Sequence, residues 1–355
     1  MSLLSKWVGA SSLVGLDIGS HTLKLAQLKP KKSSFTLHSL AHVKLPRGTV
    51  VEGEILDPLT LEEALKELFS KEKISSKSMS LALCGSAVVS KKISLPTMSE
   101  LELEDQISVI ASQYIPIPQE EMNVDYQLLP SDPNESQKMD IVITAIKKDF
   151  LTIATTVIEG ADLKPVVVET TASALSNFFR LFFPSLLEPT TALLHTGASL
   201  THLVVLENGI ATYQEEISFG GNQISDDISN ELHLSFDEAE ALKMSSPKEK
   251  NVPEDTQVVI EKSGHALCTK IQEALTTFIA QNPKAQLDKL YMTGGTSKLT
   301  HFSEWLSQKT GLSVVSLKPF ESISYNAKLF NPDFLSDIGP LFPIAAGLAC
   351  RSKES

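Results

Sequence analysis

Basic residues are in short supply. The chain has 31 Lys and Arg against 43 Asp and Glu, a formal net charge of −12. A nucleic-acid-binding protein needs a basic face to neutralise phosphates, so that class is excluded. The runs KPKK and KEK are short and read as solvated turns. Cysteine is scarce too. Cys84, Cys268 and Cys350 are scattered, odd in number and form no C-x-x-C pair. Neither a disulfide framework nor a zinc site is expected, and a reducing cytosol fits. The histidines show no metal-ligand spacing. No apolar run approaches the roughly 20 residues that cross a bilayer. The segment MSLLSKWVGA is too short and interrupted for a signal peptide. Its Leu3, Leu4, Trp7 and Val8 either form one apolar helical face or belong to a frayed arm.

What remains is a chain of 355 residues, 42% apolar, long enough for two domains with real cores. Two stretches look like copies of one unit: SLVGLDIGSHTLKLAQLKP and TALLHTGASLTHLVVLENG. Each runs apolar strand, three-residue corner, apolar strand. The corner is Asp17-Ile18-Gly19 in one and His195-Thr196-Gly197 in the other. The first unit predicts strands at 12–16, 23–28 and 34–40. The second predicts strands at 192–195, 202–206 and 211–216. Asn208-Gly209 joins the last two, and both residues tolerate the positive φ of a tight hairpin.

Helical patterns alternate with these strands. Thr60 with Glu63, Ser99 with Glu102 and Ser235 with Glu238 read as capping boxes. The helix opened by Ser99 must stop before Pro116. Further helices are predicted at 171–183, 260–279 and 301–308, a surface loop at 245–256, and strands at 86–90, 166–168 and 289–292. Three strands followed by helices, twice over, imply a duplicated α/β architecture. Its ligands bind in the cleft where strand ends meet helix starts.

The corners suit phosphate. Gly19 allows close approach, and successive amides pointing one way bind anions. Ser20, His21 and Thr22 add donors, and Lys24 offers a point charge. Asp17 would repel phosphate and instead hold Mg2+ through water. The glycine corner Met292–Thr296 would lie against a base or ribose. One glycine after a strand is usually only a turn. Three in order, two of them internally similar, are far more specific.

These segments resemble the actin-like ATPase superfamily and, within it, the type IV pilus assembly family PilM. VVEGEILDPLTLEEALKEL, GSAVVSKKISLP, VVVETTASAL, NGIATYQEEISFGG and LYMTGGTSKL carry the likeness, and ASQYIPIPQEEMNVDYQLLP is its most specific part. The cell-division protein FtsA and the cytoplasmic domain of the secretion protein GspL are related in architecture. The resemblance implies an α/β fold of two actin-like (ribonuclease H-like) lobes. The first spans 1–188, with a small α+β subdomain inserted at about 85–150. The second spans 189–340, with a lid subdomain at about 222–280. A C-terminal helix within 341–355 returns to the first lobe.

The resemblance also implies a cytoplasmic scaffold peripheral to the inner membrane, in an assembly platform for pili or type II secretion. ATP and Mg2+ are its implied cofactors. Asp17, Gly19, Ser20 and Lys24 match the first phosphate motif; Gly197, Ala198 and Thr201 the second; Gly294, Gly295 and Thr296 the adenosine motif. Glu169, with Thr170, matches the segment that orients water in chaperone relatives, which makes Asp17 and Glu169 the catalytic candidates. The partner implied is the cytoplasmic tail of a bitopic, PilN-like membrane protein, with self-assembly into dimers or rings as a family property. That tail would dock between the inserted subdomain and the first lobe, beside Ala87, Val88, Tyr114 and Ile117. Tyr114 could instead plug the subdomain core.

Two departures from the pattern bear on activity. His195 stands where the second corner normally has an acid. Gln272, Glu273 and Ala274 stand where the long helix normally presents an Arg-Ser pair to the purine. Both imply weak or absent hydrolysis. The alternative is an active ATPase or sugar-kinase-like phosphotransferase, which needs a carboxylate base and an acidic second corner. His195 argues against it, being a histidine satisfied at a strand end, a substitute water-orienter, or a lost site with no role.

Overall fold

A computed structural model describes residues 13–31, 34–72, 74, 76–130, 137–245 and 253–352. Leu3, Leu4, Trp7 and Val8, and most of the 245–256 loop, lie outside them. The first sheet takes β1 (Val14–Ile18), β2 (Thr22–Lys31) and β3 (Ser34–Lys44) as an antiparallel meander. A small hairpin, β4 (Val50–Val51) and β5 (Glu54–Ile55), leads to α1 (Pro58–Glu72) and then to β6 (Ser78–Leu83), parallel to β1. The expected Thr60 cap does not form. Asp57 caps α1 instead, accepting from the Thr60 amide at 3.1 Å, because its carboxylate stands one turn earlier.

The chain then leaves the sheet. β7 (Val88–Pro96), α2 (Glu100–Tyr114), β8 (Met122–Leu128) and β9 (Lys138–Lys147) form a three-stranded sheet, order β7-β9-β8, backed by one helix. The Ser99–Glu102 capping box opens α2, and Ile115, before Pro116, is extended. After α3 (Lys148–Gly160) the chain re-enters the first sheet as β10 (Lys164–Thr170), then forms α4 (Thr171–Phe182).

The second sheet repeats the first. β11 (Thr190–Thr196), β12 (Thr201–Glu207) and β13 (Ile210–Ile217) make the meander. Asn208 and Gly209 turn it at φ 51° and 82°. Helices α5 (Gly221–Leu232), α6 (Phe236–Ser245) and α7 (Glu254–Gln281) precede β14 (Lys289–Thr293), α8 (Phe302–Thr310) and β15 (Ser313–Ser316). The two sheets read β3-β2-β1-β6-β10 and β13-β12-β11-β14-β15, one topology used twice. This is the actin-like fold of two lobes.

Two short helices, α9 (Pro332–Ile338) and α10 (Pro343–Ala349), end the described chain. α10 packs against α4 and against β1, β2 and β6. A Cβ on Gly347 would stand 2.0 Å from the Ala174 carbonyl oxygen, so only glycine permits this approach. One apolar cluster runs through α4, α10, Ala26, Leu193, Val204 and Tyr291, and so joins both sheets. Separate cores serve the first lobe, the second lobe and the three-stranded subdomain.

Candidate functional site

The two repeat corners face each other across a cavity of roughly 880 Å³. Gly19, Ser20 and Lys24 line it from the first lobe; Gly197, Ala198 and Ser199 line it from the second, and Gly295 and Thr296 join them. The Ser20 and Ser199 hydroxyls hydrogen-bond across the gap, so the two corners touch. The third corner packs on the second. Thr296 Oγ1 donates to the Gly197 carbonyl at 2.7 Å. A Cβ on Gly294 would lie 2.3 Å from the Thr196 carbonyl oxygen, and its φ of +94° suits glycine. Gly295 has nothing within 4 Å of where its Cβ would stand, leaving bare backbone open to the cavity.

The charges come in pairs. Asp17 and Lys24 are opposite neighbours on β1 and β2, both buried, with Nζ to Oδ2 at 3.0 Å. The equivalent neighbours on β11 and β12 are His195 and His202. His195 is buried, and its Nδ1 shares a 2.9 Å hydrogen bond with Thr293 Oγ1. Burial, with His202 and Lys24 nearby, holds its pKa well below the ordinary range, so it is neutral. Burial alone would lower His202 also. Contacts with Cys84 and Glu216 outweigh it and raise its pKa to about 10. The acid-lysine pair of the first corner has thus become a neutral-cationic histidine pair in the second. Aligning the repeats one step beyond the corner pairs His202 with Lys24, a signal the corner triplets alone do not give.

Two further residues escaped the sequence reading. On α6, Glu240 and Lys243 form an i, i+3 ion pair at 2.6 Å and line the cavity. Lys243 also donates to the Gly221 carbonyl at 2.7 Å. Burial opposes both charges; Lys243 outweighs it at Glu240, whose pKa lies below the ordinary carboxylate range. An acid three residues before a lysine in AEALKM is the readable sign.

Several expected site residues sit elsewhere. Glu169 lies on the other side of β10 and α4. It is buried, ion-paired with Arg351 Nε at 2.7 Å and bonded to Asn177, and it lines a different groove. It is therefore not at the phosphate corners. Thr170 caps α4 by accepting from the Ser173 amide. Thr201 is fully buried and donates to the Phe219 carbonyl at 2.7 Å, so its hydroxyl is already used. Gln272, Glu273 and Ala274 do not line the cavity, and Ala274 is core. On this side of the cleft α6, not α7, faces the cavity.

The four expected docking residues do not share one surface. Ile117 belongs to the subdomain core and Ala87 to the first-lobe core. Tyr114 is 36% exposed on α2, with the Lys91 ammonium 6.0 Å from its ring. Only Val88 borders a groove, beside the β4–β5 hairpin. Periodicity shows that such residues are apolar, not which side of a thin subdomain they face.

The site fits a nucleotide on its own geometry: facing glycine corners, open backbone at Gly295, and a paired acid and lysine at each end. The sequence matches the family described as type IV pilus assembly protein PilM over residues 15–353. The chain belongs to that family. A solved structure described as a PilM-PilN type IV pilus biogenesis complex matches it with a TM-score of 0.85 at 25% identity, over 98% of this chain and 100% of that one. Ethanolamine utilization protein EutJ of Carboxydothermus hydrogenoformans matches with a TM-score of 0.58 at 16% identity, over 97% and 90%. MreB5 of Spiroplasma citri, solved bound to AMPPNP, matches at 0.50 and 15%, over 93% and 99%. These last two share the fold alone. The PilM-family chain is thus an actin-like protein of type IV pilus assembly. Among its described residues no helix is long and apolar enough to cross a membrane.

Proposed function

We propose that this PilM-family protein is a nucleotide-holding scaffold that hydrolyses ATP poorly and is recruited to the inner membrane by the tail of a PilN-like protein. The observation that carries the reading is the pair of touching glycine corners at the mouth of one inter-lobe cavity. Lys24 and the amides around Gly19 and Gly197 would hold the phosphates. Gly295, Glu240 and Lys243 would hold the nucleoside. Asp17 would hold Mg2+ through water, in competition with Lys24, its present partner. Bound Mg2+-ATP would bring a transferable phosphoryl group to the cleft. The second corner offers no carboxylate to orient a water against it, because neutral His195 stands there and is tied to Thr293. Hydrolysis depends on such preorganised groups.

The groove of roughly 470 Å³ between the three-stranded sheet and β10 with α4 supports the tail reading. Val142, Thr144 and Ile146 line it from β9, opposite the core-facing Ile141, Ile143 and Ala145. Residues 123–127 of β8, an edge strand, line it as well. An extended tail can add itself to such an edge, with side chains in the groove. The relative solved with PilN shares the fold and 25% of the sequence, which also supports this assignment.

Calorimetry of the full chain with Mg2+-ATP, with and without a synthetic partner tail of about ten residues, tests both parts. The expected result is saturable binding of each. No nucleotide binding would leave the cleft vestigial, and no tail binding would remove the groove assignment.

A further inference from the structure

We infer that, given the groove assignment above on which this rests, Arg180 selects the partner tail by pairing with a carboxylate side chain that the tail carries. Arg180 stands in the last turn of α4 and lines the groove. Its aliphatic stem lies on the β12–β13 turn, where a Cβ on Gly209 would stand 3.4 Å from Arg180 Cδ. The second lobe thus props a guanidinium that a first-lobe helix carries. Glu169, Asn177 and Arg351 line the same groove. Glu169 is already spent among them. Arg351 Nε stands 2.7 Å from one of its oxygens, and Asn177 Nδ2 stands 3.2 Å from the other. Arg180 is left with a neutral partner, because its Nη2 donates to Asn177 Oδ1 at 3.1 Å. Among the described residues it has no ion pair, and its Nε has no hydrogen-bond partner.

Two cations therefore face one anion. The remaining acid of the lining, Asp125, is exposed on β8 and accepts from the Tyr126 amide at 2.8 Å. Arg180 is half-buried, and burial together with the charge of Arg351 lowers its pKa from the ordinary arginine value. A second group in the groove is also unused. Thr212 is buried on β13, and its hydroxyl has no partner among the described residues. A charge withdrawn from water without a counterion is costly. The partial negative end of α4 offsets only part of that. A guanidinium presents a planar fork of donors that matches the two oxygens of a carboxylate. A tail carboxylate supplies the missing anion, whereas a tail lysine or arginine at the same place meets like charge.

The test uses the full chain and a synthetic partner tail of about ten residues, in which each position in turn is replaced by Asp, Asn and Ala. Fluorescence anisotropy gives the affinities. At one position Asp should bind roughly tenfold tighter than Ala, the scale of a hydrogen bond to a charged group. Asn there should gain by a smaller factor, because its oxygen carries no charge. Arg180→Gln should bring the Asp and Ala peptides to within about twofold of each other. A general loss of stability in that variant would weaken both peptides and keep their ratio. Arg180→Lys should retain part of the preference, since it keeps the charge but not the fork. Equal binding of Asp and Ala at every position overturns the role of Arg180, and so does a preference that survives in Arg180→Gln. If no tail peptide binds, the groove assignment itself fails, and the selection by Arg180 fails with it.

Discussion

Asp17 and His195 occupy the same place in two copies of one unit, and each is defined by the residue across the ladder. Asp17 is neutralised by Lys24; His195 is kept neutral by burial beside cationic His202. Restoring the acid should therefore be tolerated, since His202 already supplies a countercharge. His195→Asp is expected to raise Mg2+-dependent ATP hydrolysis by roughly tenfold or more, the scale of one preorganised group. Phosphate release from both proteins checks it, and a fast wild type with an unchanged variant would end the idea. The same histidines make stability depend on pH in opposite directions. His195 binds its proton more weakly folded than unfolded, so stability falls as pH drops below about 6.5, the ordinary histidine value. His202 binds its proton more tightly when folded. Its contribution is complete below about 6.5 and is lost as pH rises toward about 10. Thermal melts across pH should show both limbs, and His202→Gln should flatten the alkaline one. An alkaline limb unchanged in that variant would mean other groups set it.

At the scale of elements, the groove assignment rests on which face of the three-stranded sheet is free. α2 covers one face with Leu103, Ile107 and Ile110. The other face presents Ser90, Thr144 and Val142 to the groove. Val142→Arg should therefore weaken binding of the partner tail by about thirtyfold, the effect of losing an anchor worth about 2 kcal/mol. Tyr114→Ala, on the far side, should leave affinity within about twofold, which surface positions usually allow. Titration by fluorescence anisotropy separates them, and the reverse ranking would return the docking site to α2. These elements also show what the sequence could disclose. The duplicated meanders, the Asn208-Gly209 turn and the caps at Ser99 and Ser235 were legible because they are local: each depends on residues a few positions apart. The partners of Glu169 were not. Its carboxylate is taken by Arg351, far along the chain, and no spacing rule reports such a contact. Nor could periodicity tell α6 from α7 as the helix beside the cleft; that is set by tertiary packing, which turns Glu240 and Lys243 to the cavity and buries Ala274 in the second-lobe core.

In the whole molecule the two lobes share one continuous core at α4 and α10, whereas across the cleft they are held by polar ties. We expect opening about the apolar hinge, with closure on the polar side. One of these ties is Arg47, just beyond β3. Its guanidinium donates to both oxygens of Asp226 on α5 at 2.8 Å and lies 4.0 Å over the Phe236 ring at the start of α6. Ser218 to Glu52 and Lys92 to Glu207 are further ties between the lobes. Arg47 is largely exposed, so solvent discounts the ion pair to less than about 1 kcal/mol, and the ring contact adds a comparable amount. Arg47→Ala should accordingly raise the open population by roughly fivefold, equivalent to about 1 kcal/mol. Hydrogen exchange should quicken in α5 and α6 while α4 and α10 stay protected. Salt should imitate part of the substitution, because at 1 M the screening length falls to about 3 Å and the ion pair weakens while the ring contact remains. Exchange in α5 and α6 that responds to neither salt nor Arg47→Ala would show that the lobes are held shut by the touching corners at Ser20 and Ser199, not by the charged rim.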